Sequence, residues 1–167
     1  MKFDNILING PKEAKNILLL AHGAGAPMDS LFMNTISDGL NKNGIITIRF
    51  EFPYMAKKRL GKNTFPDKFD ELCTFYNKIY LNIKKINPNK NIWLGGKSMG
   101  GRVSAVISRS LDIKGVIVFG SNCNCCVIGC IPGSIALCTI GLASAPAGVI
   151  APVGCIPELT CLKGKPI

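Results

Sequence analysis

The octapeptide Gly95-Gly96-Lys97-Ser98-Met99-Gly100-Gly101-Arg102 constrains this chain more than any other stretch, because it follows the apolar run Ile92-Trp93-Leu94 and opens a helical pattern. Glycines two before and two after a serine suit a sharp strand-to-helix turn. Side chains at Gly96 and Gly100 would collide with the neighbouring strand and helix. Such a turn, a nucleophile elbow, lifts its serine to the helix N-terminus, where the next amide, Met99 N–H, and the helix dipole favour an oxyanion. Ser98 is the candidate nucleophile. A tight packing turn or a phosphate cradle would satisfy the same glycine spacing, so the pattern alone leaves those readings open.

A second glycine-rich loop lies upstream. The continuous apolar run from Asn16 to Ala21 is the signature of a strand buried on both faces of a parallel sheet, and it ends in His22-Gly23-Ala24-Gly25-Ala26. Backbone N–H groups in such a loop can approach a substrate oxygen closely, which makes Gly23 and Ala24 candidates for the second half of an oxyanion hole. His22 is the only histidine in the chain. It reads either as a general base for Ser98 or as a structural residue shaping the loop. The structural reading is favoured, because a triad on this kind of turn runs in the order serine, acid, histidine.

The rest of the chain alternates strand and helix signals. Residues 3 to 8 suggest a first strand and Asn9-Gly10-Pro11 a turn; Asp29 is placed to cap a helix whose apolar face is Phe32, Ile36 and Leu40 and which ends near Asn43-Gly44. Ile45 to Phe52 is a strand rich in β-branched and aromatic residues, followed by a basic loop from Pro53 to Pro66 that reads as a solvated connection. From 67 to 86 the stripe Phe69, Leu72, Cys73, Tyr76, Ile79, Tyr80 and Ile83 predicts a helix, with Asp67 at its start, Lys84-Lys85 at its end and Cys73 in the core. Val103, Val106 and Ile107 set one face of the post-serine helix on the sheet, and Gly115 to Phe119 is one more buried strand. This alternation predicts an α/β fold with a mainly parallel sheet and helices on both faces.

The 167 residues suit one domain, and the formal charge of +10 is spread over lysines such as Lys57, Lys62, Lys84 and Lys90 rather than along an aromatic-interleaved stripe, so no specific nucleic-acid partner is expected. The N-terminus, Met1-Lys2-Phe3-Asp4-Asn5, lacks the apolar core of a signal peptide. A cytoplasmic, reducing location follows, in which the eight cysteines are not a disulfide framework. No cofactor or metal is expected.

Three segments in order, Ala21 to Asp29, Arg49-Phe50-Glu51-Phe52-Pro53-Tyr54-Met55 and Gly95 to Arg102, give residues 1 to about 120 a resemblance to one group of α/β hydrolases. The group contains bacterial hydrolases related to dienelactone hydrolase, the testis-expressed protein 30 family and the third subunit of the non-specific-lethal chromatin complex. The resemblance implies an α/β-hydrolase core, Ser98 as nucleophile, and a small-molecule ester or related acyl substrate. It also allows a non-catalytic interaction protein that keeps the hydrolase core as a scaffold.

After Phe119-Gly120 the chain departs from that group, which continues with a tyrosine-proline-phenylalanine-histidine-proline segment and later supplies an acid and a histidine. Here Ser121-Asn122-Cys123-Asn124-Cys125-Cys126 follows, seven of the eight cysteines lie after residue 122, and no charged residue occurs from Gly115 to Pro157. Asp112 precedes its strand and makes no convincing triad acid. The favoured reading takes 1–120 as the N-terminal portion of a hydrolase core. It takes 121–167 as an aberrant, poorly ordered tail, the product of a shifted reading frame, so that the C-terminal strands are missing or replaced. The competing readings are a soft-metal site at Cys123, Cys125, Cys126 and Cys130, a membrane anchor from Ser134 to Ile156, and a genuine divergent tail that completes the sheet.

Overall fold

The apolar run at Asn16–Ala21 forms the central strand of the molecule. In the computed structural model, which describes residues 5–120, β1 (Ile6–Asn9), β2 (Asn16–Ala21), β3 (Ile45–Phe50), β4 (Asn91–Lys97) and β5 (Gly115–Phe119) form one sheet in the order β1-β3-β2-β4-β5. All neighbours run parallel except β1, which pairs antiparallel with β3 at one edge. Five of the six residues of β2 are buried, as a strand covered on both faces requires.

Successive β2 residues feed two cores. Ile17, Leu19 and Ala21 point to the face covered by α3 (Phe69–Ile86) and α4 (Met99–Ile107), whereas Leu18 and Leu20 pack with Met33 of α1 (Leu31–Lys42) and Phe119 on the other. The predicted stripe of α3 holds except at its first residue, Phe69, which is exposed: Leu72, Tyr76, Ile79, Tyr80 and Ile83 are buried, and Cys73 packs half-buried against the same core. Burial, and after it the nearby Asp70, raises the Cys73 thiol pKa, as befits a packing residue.

Four local expectations are corrected. The stretch after β3 is a helix, α2 (Pro53–Arg59), with Pro53 in its first turn and Tyr54 and Met55 buried. Asp29 does not cap α1; Ser30 occupies the N-cap without a side-chain hydrogen bond, and the Asp29 carboxylate pairs with Arg59 instead. Asp67 likewise stands outside α3 and accepts the Tyr54 N–H at 3.0 Å. Val106 is 44% exposed, so Met99, Val103 and Ile107 are the apolar residues that seat α4 on the core. Among the described residues no helix is long and apolar enough to cross a membrane. The cysteine cluster, the candidate anchor and the rest of 121–167 lie outside the described residues.

The strand order also fixes where a site can form. From β2 the chain crosses to β3 on one side, and from β4 it crosses to β5 on the other, so the loops leaving the carboxyl ends of these adjacent strands part toward opposite faces. A crevice opens at such a topological switch point. The register pairs Ala21 with Gly96, which brings the loop beginning at His22 alongside Lys97 and Ser98.

Candidate active site

The elbow is built by close backbone approach. A Cβ on Gly96 would lie 2.4 Å from the carbonyl carbon of Gly100, and one on Gly100 would lie 2.5 Å from the carbonyl oxygen of His22. Neither position tolerates a side chain, because backbone atoms cannot yield at those distances. Tyr76 of α3 supports the turn from beneath. Its buried hydroxyl donates to the carbonyls of Leu19 and Gly95, at 2.7 and 3.0 Å, and accepts the Gly95 N–H. Burial drives the Tyr76 pKa far up, so the hydroxyl keeps its proton.

Ser98 follows with φ 48° and ψ −109°, the one non-glycine residue with positive φ among the described residues. The Ser98 N–H donates to the Phe119 carbonyl at 2.9 Å, which pins the turn to the end of β5. Ser98 is exposed, and it is the N-cap of α4, whose first amides carry the positive end of the helix dipole. Met99, the first residue of α4, is buried directly behind it.

Gly23 stands beside this serine: a Cβ added to it would be 3.8 Å from Ser98 Cβ. Gly23 is buried and Ala24 exposed. His22 is wholly buried and both ring nitrogens are engaged. Nδ1 meets the Gly23 carbonyl at 2.7 Å and Nε2 accepts the Phe52 N–H at 3.1 Å, an arrangement that fixes a neutral ring with its proton on Nδ1. Desolvation holds the His22 pKa below its ordinary value, ahead of the opposing pull of the Gly23 carbonyl and Glu51. With its acceptor nitrogen occupied by Phe52, His22 has no free lone pair for the Ser98 proton. Asp112, 92% exposed in its side chain, pairs with Lys84 and precedes β5, at the opposite end of the sheet from Ser98.

The loop after His22 is fastened by residues that the sequence reading did not assign to a site. Tyr54 Oη donates toward the carbonyls of Ala24 and Gly23, at 3.1 and 3.4 Å. The fully buried Glu51 carboxylate takes Arg59 Nε on both oxygens at 2.7 Å, and Arg59 reaches on to Asp29 at 2.5 Å. That contact holds Asp29 below the usual carboxylate range. Arg49 donates to the Met28 carbonyl at 3.1 Å. A signal for these residues was present: Arg49 and Glu51 interrupt an apolar strand, and charges placed there need partners. Two concavities among the described residues, at Asn91–Ile92 with Lys114 and at Pro53 with Phe75, lie elsewhere, and neither is lined by Ser98.

A strand, a strained serine and a helix N-terminus at the switch point of a parallel sheet are the geometry of a hydrolase elbow, and residues 14–121 match the alpha/beta hydrolase domain in sequence. The chain belongs to the alpha/beta hydrolase family. No curated protein matches it in sequence. Among solved structures this hydrolase domain is similar to an alpha-beta serine hydrolase homologue from Coxiella burnetii, at TM-score 0.66 and 17% identity over 79% of this chain. It is also similar to Est1E from Butyrivibrio proteoclasticus with ferulic acid bound, at 0.56 and 20% over 71%. A third likeness is to XC6422 from Xanthomonas campestris, a serine hydrolase without a lid, at 0.56 and 17% over 68%. At these identities the likeness is one of fold. The chain spans 65%, 50% and 54% of those three chains, less than two thirds of each.

Proposed function

We propose that this domain carries the nucleophile half of a serine-type hydrolase site acting on an ester or related acyl compound. The observation that supports it most is the backbone of Ser98: a strained, exposed serine at a helix N-terminus has no packing role that would repay its conformation. In this reading Ser98 Oγ adds to the acyl carbon while its proton passes to a base. The carbonyl electron pair moves onto oxygen, where Met99 N–H and an amide of the Gly23–Ala24 segment receive it. Collapse expels the leaving oxygen, which takes up the proton from that base and departs as the alcohol. Water then adds to the acyl-serine and gives its proton to the same base, and the acid leaves as Ser98 Oγ regains that proton. The ferulic acid held by Est1E is consistent with an acyl substrate. The three sequence segments support kinship, within the family, with the testis-expressed protein 30 group. The change of residue usage at Gly120 supports a core of 1–120 followed by an out-of-frame segment. The nucleotide sequence around codon 120 tests that last point: a shifted frame that restores an acid and a histidine supports it.

One observation favours a second reading, a hydrolase-fold interaction protein without catalysis. The single histidine of the sequence is committed to backbone hydrogen bonds at both nitrogens. Without a base, an elbow and oxyanion hole alone retain only ~10³-fold catalysis over water. A fluorophosphonate probe separates the two: labelling that disappears in Ser98→Ala supports the hydrolase, and folded protein that takes no label supports the scaffold.

A further inference from the structure

Resting on the hydrolase reading above, we infer that Tyr54 is a positioning residue that aims the amides of Ala24 and Gly25 as oxyanion donors beside Ser98. Two successive carbonyls, those of Gly23 and Ala24, converge on its one hydroxyl. The described peptides are all trans, so each amide N–H points away from the carbonyl of its own peptide unit. The N–H of Ala24 shares a peptide with the Gly23 carbonyl, and the N–H of Gly25 shares one with the Ala24 carbonyl. Both N–H groups are therefore directed away from Tyr54, on the same side of the loop. Among the described residues neither N–H makes a hydrogen bond, and both residues are exposed, next to Gly23, where an added Cβ would lie 3.8 Å from Ser98 Cβ. Adjacent free amides that point the same way form a concavity suited to an anion.

Tyr54 is itself held for this task. Its N–H is taken by the Asp67 carboxylate at 3.0 Å, its carbonyl by the Thr64 hydroxyl at 2.8 Å, and its ring lies against His22 with centroids 5.9 Å apart. The loop between α2 and α3 and the ring of His22 thus fix where the hydroxyl sits. Burial, with Asp67 and Glu51 nearby, pushes its pKa up to about 12, so it stays a donor throughout the range in which an ester hydrolase works. His22 clamps only the first of the two carbonyls; the Ala24 carbonyl, whose peptide carries the Gly25 N–H, is held by Tyr54.

The test uses the full chain, a fluorophosphonate probe and two hydroxyl deletions. Tyr54→Phe keeps the ring and should slow labelling of Ser98 about tenfold, less than the 10²–10³ lost when an oxyanion donor is removed outright. Tyr80→Phe is the control, because its hydroxyl serves the Asp112 carbonyl at the far end of the sheet, and it should label at the parent rate. An unlabelled parent chain removes the hydrolase reading and this inference together. A parent that labels, with Tyr54→Phe labelling equally fast or Tyr80→Phe equally slowed, overturns the inference alone. Should Tyr54→Phe fail to fold, the parent chain decides by amide proton resonances before and after phosphonylation. Downfield movement at Ala24 or Gly25 supports the inference, and unmoved signals at both overturn it.

Discussion

Ser98 shows how the fold stores strain where chemistry is expected. Its positive φ costs on the order of 1–3 kcal/mol for a residue with a Cβ, and the surrounding approaches of Gly96 and Gly100 leave the turn no relaxed alternative. Ser98→Gly relieves that strain while adding about 0.5–1 kcal/mol of unfolded-state entropy. The expected outcome is a variant about 1 kcal/mol more stable than the parent by thermal denaturation, whereas Ser98→Ala is near neutral. A glycine variant that melts lower would show that the serine conformation is not strained. His22 makes the opposite kind of prediction. Burial depresses its folded-state pKa, so the unfolded chain binds the extra proton first as pH falls below about 6.5, and by linkage stability falls with it. Above that pH the term is absent. The melting temperature should therefore drop between pH 7 and pH 5, and His22→Gln, which cannot titrate, should flatten that slope even though it starts lower. The glycine spacing made Ser98 legible from sequence. The commitment of His22 was not, because its partners are a carbonyl next door and an amide at Phe52, backbone groups that carry no residue signature.

Among the elements, α2 links the two parts of the candidate site. Its last residue, Arg59, bridges the buried Glu51 at the end of β3 to Asp29 in the loop that follows β2. Removing one partner of a buried ion pair leaves the other unpaired, and with Arg59 37% exposed the cost should fall below the range for fully buried pairs. Arg59→Met is expected to destabilise by about 2 kcal/mol in urea. Adding Glu51→Gln should restore about half of that, a coupling that a double-mutant cycle measures; strict additivity would show that the pair does not interact. The buried strands and α3 followed directly from apolar runs and a helical stripe. By contrast, α2 was hidden by its composition: four of its seven residues are Pro, Lys, Lys and Arg, which read as a basic loop. Proline in the first turn and cations in the last are nevertheless the polarity a short helix prefers. Asp29 and Asp67 were misassigned for a related reason, since an acid near a helix start satisfies a capping rule locally while the fold draws it to Arg59 or the Tyr54 amide.

At the scale of the whole molecule, stability should be graded across the sheet in the same order that positions the site. The strands that carry the elbow and the loop beside it, β4 and β2, are each hydrogen-bonded on both sides, and their residues supply both cores. The outermost β1 has four residues, pairs only with β3, runs antiparallel to the rest and leaves Ile8 63% exposed. Ordering so short an edge contributes little apolar burial against its backbone entropy, so it can open without the remainder. Native-state hydrogen exchange should find the amides of β2 and β4 exchanging only through global unfolding, and those of β1 at least tenfold faster. The contrast also bears on the site, because the switch point between β2 and β4 then sits in the last part of the structure to open. If β1 proved as well protected as β2, the sheet would unfold as a single unit, and the placement of Ser98 beside Gly23 would depend on the edge as much as on the centre.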